Sequence, residues 1–296
     1  RKALSTMLEK DPEITVVATA RDGQEGLDLI RKHDPQVVTL DIEMPRMDGL
    51  TALRHIMMEM PRPVLMVSSL TTEGAEATLK ALDLGAVDFI PKQLSKVSLD
   101  IAKIEENLRA KVKEIARRKF RAPKPMRSPA RTESKPAAAV TTPTGKVVRD
   151  VVAIGVSTGG PPAVQKLLGA LPQDFPAGIL IAQHMPAAFT GPFAQRLNGL
   201  CQITVKEAED GEPFKTAFAY IAPGGKHLLL EQRGTRLLLK VTPEPSEALY
   251  KPSANVLVES VAGAVGKRAL GVILTGMGSD GMEGVKVLKS KQGRAL

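Results

Sequence analysis

Two doubly wound α/β domains with parallel sheets, joined by a flexible linker, are what this sequence predicts. Three observations predict them. Short β-branched runs alternate with helical periods over residues 14–90, and the same alternation resumes at Val148 and continues to the end. Between them, residues 121–145 turn to Pro, Ala, Ser, Thr and basic side chains with no hydrophobic period. Alternating strands and helices imply a parallel sheet covered on both faces. A polar, aperiodic stretch buries too little to fold and reads as a tether. The expected division is a first domain over 1–104, a helix extension and basic linker over 105–148, and a second domain over 149–296.

Composition narrows the function classes. The chain has 296 residues, 43% of them hydrophobic, enough for two cores. It carries a formal charge of +9, but residues 101–150 hold 14 Lys and Arg against 5 Asp and Glu, while the rest holds 27 of each sign. The basic balance therefore sits in the connecting segment, where a solvated tether is the default. With no Trp and two Tyr, stacking platforms for single-stranded nucleic acid are poorly supplied. No helix-turn-helix follows the linker, so no nucleic-acid partner is expected. A single cysteine, Cys201, rules out an internal disulfide framework and suits a reducing, cytoplasmic setting. No uninterrupted apolar span predicts membrane insertion.

In the first domain, residues 2–10 read as the end of an amphipathic helix and 14–19 (ITVVAT) as a strand. Asp22 with Glu25 has the spacing of a capping box for a helix bearing Leu27 and Ile30. Residues 37–41 (VVTLD) form a buried strand ending in an acid, followed by the turn-rich IEMPRMDG. A helix over about 50–60, the strand 63–68 (PVLMVS), a helix over about 73–84 and a short strand over 86–90 complete it. Asp41, Ser68 and Lys92 then fall at carboxyl ends of strands, where open parallel sheets collect their chemistry. A carboxylate, a hydroxyl and a cation in that order suit phosphoryl transfer to Asp41, with Ser68 and Lys92 on the acyl phosphate oxygens. A helix over about 99–118 carries Ile101, Ile104, Leu108 and Val112 on one face, a stripe expected to face the core.

With LDIEMPRMDGL around Asp41, this third resembles the receiver domain of bacterial response regulators. The resemblance implies that Asp41 is the phosphoacceptor and a Mg²⁺ ligand, with Ser68 and Lys92 as the switch residues. It also implies that the family's first strand, and the acidic pair that helps hold Mg²⁺, precede the point where this chain begins. Gln93 stands where the family usually has proline after the lysine.

In the second domain, residues 151–156 (VVAIGV) form a strand that runs into Ser157 and the glycines of GVSTGGPP, a strand-to-helix turn. Gly155-Val156-Ser157-Thr158-Gly159 fits the G-x-S-x-G pattern of a nucleophile elbow. Strand 178–183 (GILIAQ) ends at His184. Short strands over 203–207 and 219–221 precede a hairpin turning at Arg233-Gly234. A helix with Val256, Leu257, Val261 and Val265 leads to strand 270–275 and the turn GMGSDG, with Asp280 beside the next helix. Ser157, His184 and Asp280 would thus converge on one rim as nucleophile, general base and orienting carboxylate. Backbone N–H groups near Thr158 and in the Gly276–Gly278 turn are candidates for an oxyanion site. A rival set, Ser157, Asp210 and His227, has the α/β-hydrolase order, but Asp210 lies in a polar turn with no strong strand leading into it. His227 is better read as lining the pocket or bonding a carbonyl, and His33 and His55 as surface residues.

The segments IGVSTGGPPAV, IAQHMP, YIAPGGKHL, YKPSANVLVES and ILTGMGSDGMEG, behind a receiver and a linker, resemble the chemotaxis-specific protein-glutamate methylesterases. The resemblance implies the triad Ser157, His184 and Asp280, with the N–H of Met277 on the oxyanion. It implies hydrolysis of glutamate γ-methyl esters, and deamidation of glutamines, on chemoreceptors, without a cofactor for hydrolysis and with Mg²⁺ at the receiver. A sensor histidine kinase is the implied phosphoryl source, and the receiver is expected to cover the site until phosphorylated. The family's domain also extends beyond Leu296. The alternative is a non-catalytic regulator whose second domain only binds a partner.

Overall fold

The computed structural model describes residues 1–92, 98–117, 120 and 149–296, so the linker expected over 121–145 and Gln93 lie outside the described residues. In the first unit, helix α1 (Lys2–Glu9), α2 (Gly23–His33), strand β1 (Val38–Asp41), α3 (Gly49–Glu59), β2 (Val64–Ser68), α4 (Thr72–Asp83), β3 (Asp88–Pro91) and α5 (Ser98–Arg117) follow in order. The three strands form a parallel sheet in the order β1-β2-β3. Its register pairs Asp41 with Val67 and Ser68 with Pro91, which brings Asp41, Ser68 and Lys92 to one end.

Local chemistry starts these helices. Asp22 accepts from the N–H of Glu25 at 3.0 Å, and the Glu25 carboxylate returns to the N–H of Arg21 at 2.6 Å. That is the expected reciprocal cap with its return bond one residue earlier. Asp48 and Thr71 cap α3 and α4 in the same way, at 2.7 Å and 3.0 Å. Gly49 is needed where α3 meets the sheet, because a Cβ there would lie 1.9 Å from the Asp41 carbonyl oxygen. Of the α5 stripe, Leu108 is buried and Val112 half-buried against Met7, Leu8, Leu65, Val67 and Ile90, joined by Ile115, while the Ile101 side chain lies outside the described residues.

One expected strand does not form. Residues 14–19 join no ladder, and a cavity of about 840 Å³ lined by Ile14, Val16, Val38 and Leu40 lies beside them. A strand is defined by its partner's hydrogen bonds, and no described segment runs alongside.

The second unit alternates more completely. It contains β4 (Val151–Val156), α6 (Gly160–Leu168), β5 (Gly178–Gln183), α7 (Ala187–Leu200), β6 (Thr204–Glu207), β7 (Phe218–Ile221), β8 (His227–Arg233), β9 (Arg236–Thr242), α8 (Ala254–Val265), β10 (Ala269–Ile273), α9 (Met282–Ser290) and β11 (Arg294–Ala295). Six strands form one parallel sheet, β11-β10-β4-β5-β7-β6, while β8 and β9 make the expected antiparallel hairpin. Val152, Ile154 and Val156 of β4 enter one apolar cluster, and Val151 and Ala153 enter the other. Both faces of the sheet are thus covered, which is why its strands read as continuous apolar runs. Chain order reverses at β4, between β5 and β10, which opens the crevice in which such sheets place their sites.

The two units touch. Phe89 of β3 stacks on Phe189 of α7 at 4.5 Å, Asp83 of α4 pairs with Arg196 of α7, and α4 also packs against α6. Among the described residues no helix is long and apolar enough to cross a membrane.

Candidate active site

Strand ends of the second unit bring Ser157, His184 and Asp280 together. Ser157 follows β4, and its N–H is held by the Thr275 carbonyl at 3.0 Å. Gly276 permits this approach, since a Cβ there would lie 3.0 Å from the Ser157 Cβ. His184 follows β5 with its N–H on the Val156 carbonyl, and the Gln183 amide bridges the carbonyls of Ser157 and His184. His184 Nδ1 lies 3.1 Å from Ser157 Oγ, and its Nε2 lies 2.8 Å from Asp280 Oδ2. A carboxylate only accepts, so Nε2 carries the proton and the Nδ1 lone pair faces the hydroxyl.

Asp280 is held in a way the sequence reading missed. An Asp in a Gly-rich turn suggests a cap for the helix that follows it, but α9 is preceded by Gly281 with no side-chain cap. The carboxylate sits instead at the N-terminus of α8. It accepts from the N–H groups of Ala254 at 2.6 Å and Asn255 at 3.0 Å, and from the Ser253 hydroxyl at 2.8 Å. Burial raises its pKa, but the bonds from His184, Asn255, Ala254 and Ser253 outweigh that and hold it at about 2. A helix N-terminus favours the same charge. Tyr250, also missed, lies parallel to the His184 ring, with centroids 4.2 Å apart and planes at 14°.

Of the oxyanion candidates, Thr158 is fully buried and Met277 half-buried. The N–H of Ser157 is occupied, whereas those of Thr158 and Met277 are engaged by no other described residue. The rival set does not assemble. Asp210 is exposed and accepts from the Val241 N–H, while His227 is fully buried and bonds the Pro245 carbonyl and the Ser253 N–H. Burial pushes the His227 imidazole down, so it remains neutral.

In the first unit, Lys92 Nζ lies 2.7 Å from Asp41 Oδ1, and the Glu43 N–H donates to the same oxygen at 3.0 Å. Ser68 is buried, with its hydroxyl on the carbonyls of Gly74 at 3.1 Å and Ser69 at 3.2 Å, not on Asp41. Among the described residues no group of three His, Cys, Asp or Glu could hold a metal ion. Mg²⁺ demands octahedral oxygen coordination, and Asp41 offers one carboxylate already engaged by Lys92. The described residues do not fit Mg²⁺ by themselves.

An oxygen nucleophile joined through an imidazole to a fixed carboxylate can carry out acyl transfer. Comparison with known proteins points the same way. Residues 152–296 match the family model described as CheB methylesterase, and residues 1–103 match that of the response regulator receiver domain. The chain is 71% identical, over 100% of its length and 85% of the relative's, to protein-glutamate methylesterase/protein-glutamine glutaminase 2 of Nitratidesulfovibrio vulgaris. It is 56% identical to the protein-glutamate methylesterase/protein-glutamine glutaminase of Lawsonia intracellularis, over 99% of this chain and 84% of that one. The crystal structure of the Thermotoga maritima CheB methylesterase catalytic domain aligns at TM-score 0.48 and 38% identity, over 50% of this chain and 79% of that one. The chain belongs to the protein-glutamate methylesterase/protein-glutamine glutaminase family of receiver-linked enzymes.

Proposed function

We propose that this chain is a phosphorylation-regulated serine hydrolase that cleaves glutamate γ-methyl esters, and deamidates glutamines, on cytoplasmic segments of chemoreceptors. The observation that carries the reading is the continuous relay Ser157–His184–Asp280, with spacings of 3.1 and 2.8 Å. Ser157 Oγ attacks the γ-carbonyl carbon while His184 Nδ1 takes its proton. The N–H groups of Thr158 and Met277 receive the oxyanion. His184 returns the proton to the departing methanol oxygen, leaving an acyl-enzyme. Water then attacks that ester through the same nitrogen, which frees the carboxylate and restores Ser157. Asp280 remains ionised throughout and keeps the ring in the Nε2–H form.

In the same reading, a sensor histidine kinase supplies the phosphoryl group to Asp41, and Lys92 is placed to meet its oxygens. Gating is supported by the contact of α4 with α6 and α7, the helices that follow Ser157 and His184. Phosphorylation would shift that docking equilibrium. The test is methanol release from a methylated chemoreceptor. Ser157→Ala is expected to lower kcat by roughly 10⁶, as loss of a triad nucleophile does; near wild-type release by that variant would sink the assignment.

A further inference from the structure

His184 is held at two points, both in the plane of its ring. Bonds at Nδ1 and Nε2 fix the two ends but resist tilting weakly, because the terminal torsion of histidine is soft and broad. Tyr250 supplies the missing restraint. Its ring lies against the imidazole face at 4.2 Å and 14°, so a tilt that would break either in-plane bond runs into it. The phenol also reaches the turn that carries Met277: a Cβ on Gly278 would lie 3.6 Å from the Tyr250 oxygen.

The ring has a second use. When His184 takes the Ser157 proton it becomes a cation, and an aromatic face beside it favours that charge. The hydroxyl has no such use, since no described residue hydrogen-bonds it, and burial together with the Asp280 charge raises its pKa and keeps it protonated. We propose that Tyr250 is a positioning residue for the reaction, acting through its ring face to hold the His184 plane across Ser157 and Asp280 and to favour the imidazolium. This rests on the reading of Ser157, His184 and Asp280 as the catalytic relay.

The full chain and a methylated chemoreceptor test it. Tyr250→Leu is expected to lower kcat about tenfold with KM nearly unchanged, the scale of a partly desolvated cation–aromatic contact. Tyr250→Phe, which keeps the ring, is expected to restore wild-type kcat. Proton NMR gives an independent readout: the His184 Nε2–H on Asp280 is expected as a downfield resonance in wild type and Tyr250→Phe, and broadened by exchange in Tyr250→Leu. If Tyr250→Leu folds poorly, Tyr250→Trp is read in the same way, with retained kcat expected. A wild-type kcat and a sharp resonance in Tyr250→Leu would overturn the proposal, as would a loss in Tyr250→Phe equal to that in Tyr250→Leu. Ser157→Ala separates the two readings: if it is inactive while Tyr250→Leu is unaffected, the relay stands and only the positioning role fails.

Discussion

Two aspartates at carboxyl ends of parallel strands serve opposite ends here. Asp280 is nearly enclosed, at 7% side-chain exposure, with four donors on its two oxygens. Asp41 is 35% exposed, and its described partners, Lys92 and the Glu43 N–H, share Oδ1. One carboxylate is saturated, so its charge and direction cannot change while the fold holds. The other keeps Oδ2 without a described partner, which suits the phosphoacceptor role proposed for it. Near the carboxyl ends of parallel strands, the number of donors around a carboxylate thus suits it to the orienting or the accepting role proposed for it.

The sharpest way to break this contrast is Asp280→Asn. The amide cannot hold the Nε2–H tautomer, and kcat is expected to fall by roughly 10⁴, as for comparable triads. A fall of less than tenfold in a folded variant would show that Asp280 does not orient the base. The same substitution tests the acid limb of stability. The Asp280 pKa is depressed from an ordinary 3.8 to about 2, so its stabilisation is complete above about 3.8 and is lost as pH falls through 2. A shift of that size corresponds to about 2 kcal/mol. Acid unfolding of the full chain, followed by circular dichroism, should lose that portion of its pH dependence in Asp280→Asn; identical acid limbs would contradict the assignment.

Ser253→Ala is a milder probe of the same saturation. It removes one hydroxyl from Asp280 and the cap of α8 together. A hydrogen bond to a charge contributes about 1.5–3 kcal/mol and a cap about 1 kcal/mol, so thermal stability should fall by an amount of that order. The remaining N–H donors of Ala254 and Asn255 keep the carboxylate ionised, and kcat should fall far less than in Asp280→Asn. Equal losses in the two variants would mean that the hydroxyl, not the set of donors, fixes Asp280.

What the sequence made legible follows from what is periodic or adjacent. Five strands of the six-stranded sheet were readable, most of them as short apolar runs ended by a turn, whereas the two-residue β11 (Arg294–Ala295) carries no such run. Ser157 and His184 were readable because they directly follow their runs, and Asp280 because it stands in the glycine-rich turn after β10. The donors to Asp280 were not, because Ser253, Ala254 and Asn255 stand more than twenty residues away and meet it only through packing of α8 on β4 at Gly155, where a Cβ would lie 2.6 Å from the Ala254 Cβ. Tyr250 lies in an irregular stretch between β9 and α8, where no period marks a side chain's direction. Ser68 was placed correctly at a strand end, but its rotamer toward the Gly74 carbonyl depends on the first turn of α4. The strand expected over 14–19 shows the converse limit: its composition favours an extended chain, whereas a ladder is a property of two segments.

The smallest expected effect concerns how Asp41 could act on the distant serine. Asp83 and Arg196 pair between α4 and α7, each about 30% exposed on its side chain. A pair so accessible to solvent contributes at most about 1 kcal/mol. If docking of the first unit restricts access to Ser157, Arg196→Ala should raise basal methanol release by no more than about fivefold. Asp41→Asn should leave basal release as it is and abolish the increase produced by a small-molecule phosphodonor. In the double variant the basal gain should persist without any response to the donor, because weakening the contact bypasses the signal. Unchanged or lower basal release from folded Arg196→Ala would mean that the α4–α7 contact does not restrain the site, and control by Asp41 would then have to reach Ser157 through another surface.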